Sequence, residues 1–161
     1  MSMLYLVRHA AAEETRAGKP DAERALTEEG TRKFRRAAAG IVKLVSEAPP
    51  SLIFASPALR ARQTAEILHE AFDRAKIRTE VRFSETLLDV KHLGQLLKEA
   101  RGKTAMAVGH EPILSLWIGE LCFGTAGNVA FKKGALAGLE LKAGQRAELV
   151  YLLQPGILRE L

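Results

Sequence analysis

Three short, unbroken apolar runs constrain this chain more than anything else in it: Met3 to Val7, Leu52 to Ala55 and Ala105 to Val108. A strand with one wet face alternates apolar and polar residues, so continuous runs predict strands covered on both faces. Each run is followed by apolar residues at helical spacing. After the first, Thr27 is placed to cap a helix reaching about Glu47, with Glu28 and Glu29 at its positive end. After the second, Ser56 and Pro57 read as N-cap and first residue of a helix to about Phe72. After the third, Gly109-His110-Glu111-Pro112 turns into a helix with Ile113, Leu114, Leu116, Trp117 and Leu121 as its apolar contacts. Strand, helix, strand, helix implies an α/β three-layer sandwich, with a mainly parallel sheet and helices on both faces. A fourth strand is expected over Ile77 to Phe83 and a further helix over about Val90 to Ala100. Ala135 to Leu141 and Ala147 to Leu153, joined at Ala143-Gly144, read as an antiparallel hairpin, which makes the sheet mixed.

With 161 residues, 47% of them apolar, and no linker, low-complexity tract or repeat, residues 1–161 read as one domain. No apolar run approaches the roughly 20 residues of a membrane helix. Met1 to Val7 lacks the charged start of a secretory signal, so the expected location is cytoplasmic, with no membrane partner. The single cysteine, Cys122, agrees with a reducing compartment. The net charge of +5 raises the question of nucleic acid, and Arg32, Lys33, Arg35 and Arg36 are the densest basic cluster. They interleave with Phe34, Ala37, Ala38 and Ile41 so as to fall on the solvated face of a helix. No aromatic platform or groove-reading motif accompanies them, so no nucleic-acid partner is expected. A positive field suits a phosphorylated substrate equally well.

In open sheets of this kind ligands bind beyond the carboxyl ends of the strands. The first strand ends in Arg8-His9, the second leads to Arg60 in the first turn of its helix, and the third ends in Gly109-His110. Two arginines and two histidines are therefore expected on one edge. Arginine forks match phosphate oxygens, while their fixed charge opposes a bound cation, so phosphate is expected and neither metal nor cofactor. An imidazole nitrogen aimed at phosphorus can act as nucleophile, and the arginines can stabilise charge on the equatorial oxygens of a loose transition state.

Four motifs occur in order: Leu4-Tyr5-Leu6-Val7-Arg8-His9; Leu26-Thr27-Glu28-Glu29-Gly30; Ser56-Pro57-Ala58-Leu59-Arg60 with Gln63-Thr64-Ala65; and Val108-Gly109-His110-Glu111-Pro112. On them the chain resembles the histidine phosphatase superfamily, also called phosphoglycerate mutase-like, and within it the SixA-type phosphohistidine phosphatases. The likeness runs nearly end to end, to Gln154-Pro155-Gly156. It implies that His9 is the phosphorylated nucleophile, that Arg8, Arg60 and His110 complete the phosphate pocket, and that Arg24 touches substrate at the pocket mouth. It implies a phosphatase acting on phosphohistidine in a signalling or phosphotransfer protein, such as a histidine-containing phosphotransfer domain. A phosphatase of small phosphoesters, or a mutase, is the second reading, and a non-catalytic phosphate-binding module the third.

Two departures matter. The family triplet is Arg-His-Gly, and this chain has Ala10 in third place; if that position needs a positive backbone angle, alanine is strained there. Many members also use a carboxylic acid to protonate an alkoxide leaving group. Glu85, within Phe83-Ser84-Glu85-Thr86-Leu87, is either that acid or a surface residue before the next helix. Imidazole leaves more readily than an alkoxide, so phosphohistidine demands less of an acid. His69 and His92 match no pocket motif and read as packed or exposed. Cys122 lacks the arginine six residues later that a thiolate phosphatase wants, since position 128 is Asn.

Overall fold

The computed structural model describes residues 2–127 and 129–161. Six strands form one mixed sheet: β1 (Ser2–Arg8), β2 (Leu52–Ala55), β3 (Glu80–Phe83), β4 (Ala105–Gly109), β5 (Leu136–Leu141) and β6 (Glu148–Leu153). Their order across the sheet is β3-β2-β4-β1-β5-β6. The first four run parallel, β1 and β5 pair antiparallel, and β5 and β6 close the hairpin. The helices are α1 (Glu28–Leu44), α2 (Leu59–Arg74), α3 (Leu93–Glu99), α4 (Ile113–Ile118) and α5 (Pro155–Leu158).

Alternation along each strand sorts the core onto the two faces. Tyr5, Val7, Ile53, Ala55, Met106 and Val108 pack with Phe34, Ala37, Ala38 and Ile41 of α1, Ala61, Ala65, Leu68 and Phe72 of α2, and Leu158 of α5. Leu4, Leu6, Leu52, Phe54, Ala105 and Ala107 pack with Leu93 and Leu96 of α3 and Leu114, Trp117 and Ile118 of α4. This is the three-layer arrangement expected from the apolar runs. Trp117 is fully buried and donates to the Val90 carbonyl at 2.8 Å, so it serves the core.

The two connections that matter most leave the sheet on opposite faces. The chain turns from β1 to α1 on one side and from β4 to α4 on the other, while β1 and β4 are neighbours. Such a reversal opens a crevice beyond the carboxyl ends of the two strands. His9 follows β1 and His110 follows β4, so both stand at that crevice.

Several boundaries differ from the sequence expectation. Thr27 does cap α1, accepting from the Gly30 amide at 2.9 Å, but α1 ends at Leu44 and the chain turns before Pro49-Pro50. Ser56 does not cap α2. Ala58, with extended backbone angles, is the N-cap, and the Ser56 hydroxyl is turned toward His110. β3 begins only at Glu80. The expected helix at 90–100 opens as a 3₁₀ turn over Val90–His92 before α3. α5 was not expected: four residues are too few for an apolar period to show, and its signature is Pro155 at the first helical position. The basic cluster on α1 is exposed, with Arg32 and Lys33 beside Glu29 and Arg35 beside Glu70.

Candidate active site

The site begins with the tautomer of His9. Its Nδ1 lies 2.8 Å from the Ala10 carbonyl oxygen, which can only accept, so Nδ1 carries the proton and Nε2 keeps its lone pair. Ala10 has no positive φ, so alanine is held there without strain. Its amide donates to Thr64 Oγ1 at 3.1 Å, and that hydroxyl donates to the Arg60 carbonyl one turn back on α2. The residue after the histidine is thereby clamped to the helix that carries Arg60.

His110 is the second imidazole. The two rings lie 5.2 Å apart between centroids and are tilted by 54°. His110 Nε2 lies 2.7 Å from Ser56 Oγ, which also accepts from the Ala58 amide. The serine proton is then free for Nε2, and a neutral His110 presents Nδ1–H to the crevice. Both rings are held neutral. Burial, reinforced by His110, Arg60 and Arg8, lowers His9 to about 3 against the Ala10 hydrogen bond. Burial and Arg60 lower His110 to about 4, while Asp21 works in the opposite direction.

The arginines show the same economy of contacts. Arg8 Nη1 donates to the Phe131 carbonyl at 2.9 Å, while its backbone and that of His9 are held by the Gly134 amide. Arg60 Nη1 donates to the Asp21 carbonyl at 2.9 Å and Nη2 to Asp21 Oδ2 at 3.0 Å. In each, Nε has no partner. Among the described residues, the buried side-chain polar atoms without a hydrogen-bond partner are Arg8 Nε, Arg60 Nε and His110 Nδ1. Leaving a buried donor unpaired costs about 1–3 kcal/mol, so three donors left unpaired in one place mark a site that takes an acceptor-rich ligand. A tetrahedral oxyanion carries acceptors enough for three such donors.

The structure brings Arg8, His9, Arg60 and His110 together. Arg24 lies in the connection that carries Asp21, donating from Nε to Asp21 Oδ1 at 2.9 Å and from Nη1 to the Glu13 carbonyl at 2.8 Å. Glu85 is exposed at the start of a 3₁₀ turn after β3 and has no hydrogen-bond or ion-pair partner among the described residues. His69 and His92 are exposed on the outer surface, His69 beside Thr79 Oγ1. No group of three or more His, Cys, Asp or Glu side chains among the described residues is placed to hold a metal ion. A separate cavity of ≈ 240 Å³ lies against Ala10, lined by Gly30, Phe34, Lys133 and Arg159 among others, and none of the four central residues contributes to it.

The sequence assigns no role to Asp21 or Thr64 and reads Ser56 only as a helix cap, not as the partner of His110. For Thr64 a signal was present: a hydroxyl four residues after Arg60 on a helix bonds back to the carbonyl there. Ser56 and Asp21 act across the fold, on His110 and Arg60, and no local pattern announces them.

The histidine phosphatase superfamily (branch 1) model matches residues 4–106. An uncharacterised protein of Picosynechococcus sp. (strain ATCC 27264 / PCC 7002 / PR-6) is 30% identical over 149 residues, covering 88% of this chain and 87% of that protein. SixA from Agrobacterium tumefaciens superposes with a TM-score of 0.77 at 24% identity, covering 96% of this chain and 98% of its own. The protein histidine phosphatase SixA complexed with tungstate gives 0.76 at 23% identity, covering 97% and 99%. A phosphoserine phosphatase of Entamoeba histolytica gives 0.70 at 16% identity, covering 96% and 98%. These structural likenesses are likenesses of fold.

Proposed function

This chain belongs to the histidine phosphatase superfamily, branch 1, as one of its phosphatases, and from that premise we propose that it hydrolyses phosphohistidine by way of a phosphoryl group carried on His9. The observation that carries this reading is the trio of unpaired buried donors, Arg8 Nε, Arg60 Nε and His110 Nδ1, on the residues that crowd the His9 ring, whose Nε2 is free. In the first step the substrate imidazole, protonated from solvent on its other ring nitrogen, leaves as neutral imidazole while Nε2 attacks phosphorus and the bond to the substrate nitrogen breaks. In the second, water attacks the His9 phosphoramidate, releasing phosphate and restoring the neutral ring. Arg8 and Arg60 bind the equatorial oxygens as charge spreads onto them, and His110 donates to a third.

The substrate class follows from leaving-group chemistry. Imidazole departs once protonated and needs no strong acid, which suits a pocket whose donors are guanidinium and imidazole groups. The partner in this reading is a phosphorylated signalling or phosphotransfer protein met in the cytoplasm. The second reading, a phosphatase of small phosphoesters, is favoured by the shared fold of the phosphoserine phosphatase. In that case Glu85 is the acid for the alkoxide, and Arg24 binds the rest of the substrate.

His9→Ala is expected to abolish turnover of both a phosphohistidine peptide and an aryl phosphate while the fold persists by circular dichroism; turnover at the wild-type rate removes the proposal. Rates on phosphohistidine protein and a phosphoester panel, in wild type and Glu85→Gln, separate the two substrate classes. Preference for phosphohistidine with little effect of Glu85→Gln supports the first. Selective loss of alkyl phosphoester turnover supports the second.

A further inference from the structure

Asp21 lies in the long connection between β1 and α1, on a short 3₁₀ turn over Asp21–Glu23 that Pro20 introduces. The base of this connection is closed by the bridge between Ala12 and Leu26, and Leu26 is tied to α2 through Gln63 Oε1. Lys19 pairs with Glu13 at 2.6 Å, and the Glu13 carboxylate also accepts from the Ala25 amide. The turn is thus presented to α2 on a braced support. There the carbonyl and one carboxylate oxygen of Asp21 take both terminal nitrogens of Arg60, while its other carboxylate oxygen takes Arg24 Nε.

The geometry of guanidinium makes this contact selective. The group offers two bidentate edges, one formed by the two terminal nitrogens and one by Nε with the terminal nitrogen beside it. Asp21 fills the first edge of Arg60. The second edge remains, and its Nε is buried without a partner. From this we propose that Asp21 is a positioning residue for phosphoryl transfer: it fixes the rotation of the Arg60 fork so that the Nε edge faces the phosphoryl group. The inference rests on the reading that Arg60 binds that group.

Two observations separate this role from ordinary stabilisation and from competition with substrate. The Arg60 side chain is 8% exposed but that of Asp21 is 60% exposed, so the pair sits half in solvent, where ion pairs contribute little to stability. The edge that Asp21 occupies is also not the one left unsatisfied, so substrate need not displace it. Burial works to raise the Asp21 carboxyl, but Arg24 and Arg60 outweigh it and hold it below the usual aspartate value, so the clamp is charged at neutral pH. An arginine free to rotate must be ordered at each turnover, and misplacement of a catalytic group by about 1 Å costs on the order of 100-fold.

The test is a double-mutant cycle of Asp21→Ala and Arg60→Ala, read as kcat and KM on a phosphohistidine peptide and as affinity for inorganic phosphate. Asp21→Ala alone is expected to lower kcat/KM about 10- to 100-fold, mainly through kcat, with little change in Tm. Asp21→Asn, which keeps an acceptor but not the charge, should fall between it and wild type. In the Arg60→Ala background, Asp21→Ala should cost no more than about threefold, the part transmitted through Arg24. If turnover there is undetectable, phosphate affinity must show the same loss of effect. An equal effect of Asp21→Ala with and without Arg60 overturns the proposal, and so does tighter phosphate binding with faster turnover in Asp21→Ala. Wild-type turnover in Arg60→Ala would instead remove the functional reading beneath it.

Discussion

At the scale of the residue, the site depends on which nitrogen of each ring is engaged. His9 gives its Nδ1 proton to the Ala10 carbonyl, and His110 rests its Nε2 on Ser56, so the opposite nitrogens are left for chemistry. Removal of the serine hydroxyl should let His110 take the wrong tautomer. Ser56→Ala is expected to reduce kcat/KM about tenfold or more with KM changed less, and unchanged kinetics would deny the hydroxyl this role. Ring-selective NMR provides a second check. With folded values of about 3 and 4, neither His9 nor His110 should titrate between pH 8 and pH 5 in the free protein, and a midpoint near 6.5 for either would contradict its burial-driven depression. Arg8, His9, Arg60 and His110 were all legible as residues at strand and helix ends. The tautomer of His110 and the free edges of the two arginines were not, because these depend on Ser56, Asp21 and Phe131, which lie far away in sequence.

At the scale of the element, close approaches decide where helices may sit. A Cβ built on Gly40 of α1 would stand 1.9 Å from the Leu158 carbonyl oxygen, so α5 can dock there only against glycine. Gly40→Ala is therefore expected to destabilise the fold by about 1–3 kcal/mol by forcing α5 away. Gly94 on α3 meets nothing within 4 Å, so Gly94→Ala should be neutral or stabilising by up to about 1 kcal/mol. Chemical denaturation of the two variants checks both, and equal effects would mean that the docking of α5 is not what Gly40 permits. Gly30 has a related duty, since the Ala11 carbonyl would lie 2.2 Å from a Cβ there. The loop after His9 thus runs against the first turn of α1, which accounts for a glycine in the motif Leu26 to Gly30. Strands and long helices were legible because apolar period and capping chemistry act over one or two turns. α5 was not, since four residues hold no period and its anchor lies on α1.

At the scale of the whole molecule, the site lowers stability in acid. His9 and His110 are neutral when folded and have folded values below the ordinary 6.5, so over that interval the unfolded chain binds more protons. Stability should fall as the pH drops from about 6.5 toward 4, by up to ~1.4 kcal/mol per pH unit for each ring. Between pH 6.5 and 5, His9→Gln with His110→Gln should flatten that slope; the same slope in the double variant would assign it to other groups. The guanidinium groups of Arg8 and Arg60 already supply the charge that phosphate needs, so turnover should persist in chelator, and loss that added metal restores would count against the mechanism. Taken alone, the sequence determined the six strands and, α5 and several element ends excepted, the helices, that the sheet is mostly parallel, and which residue types stand at its carboxyl edge. These follow from local propensity and from the continuous apolar runs that demand cover on both faces. Only the tertiary structure decided that β4 lies between β2 and β1, that the connections after β1 and β4 leave on opposite faces, and that Asp21 meets Arg60. Those outcomes depend on burying both faces of the sheet at once, a condition that no single stretch of the chain contains.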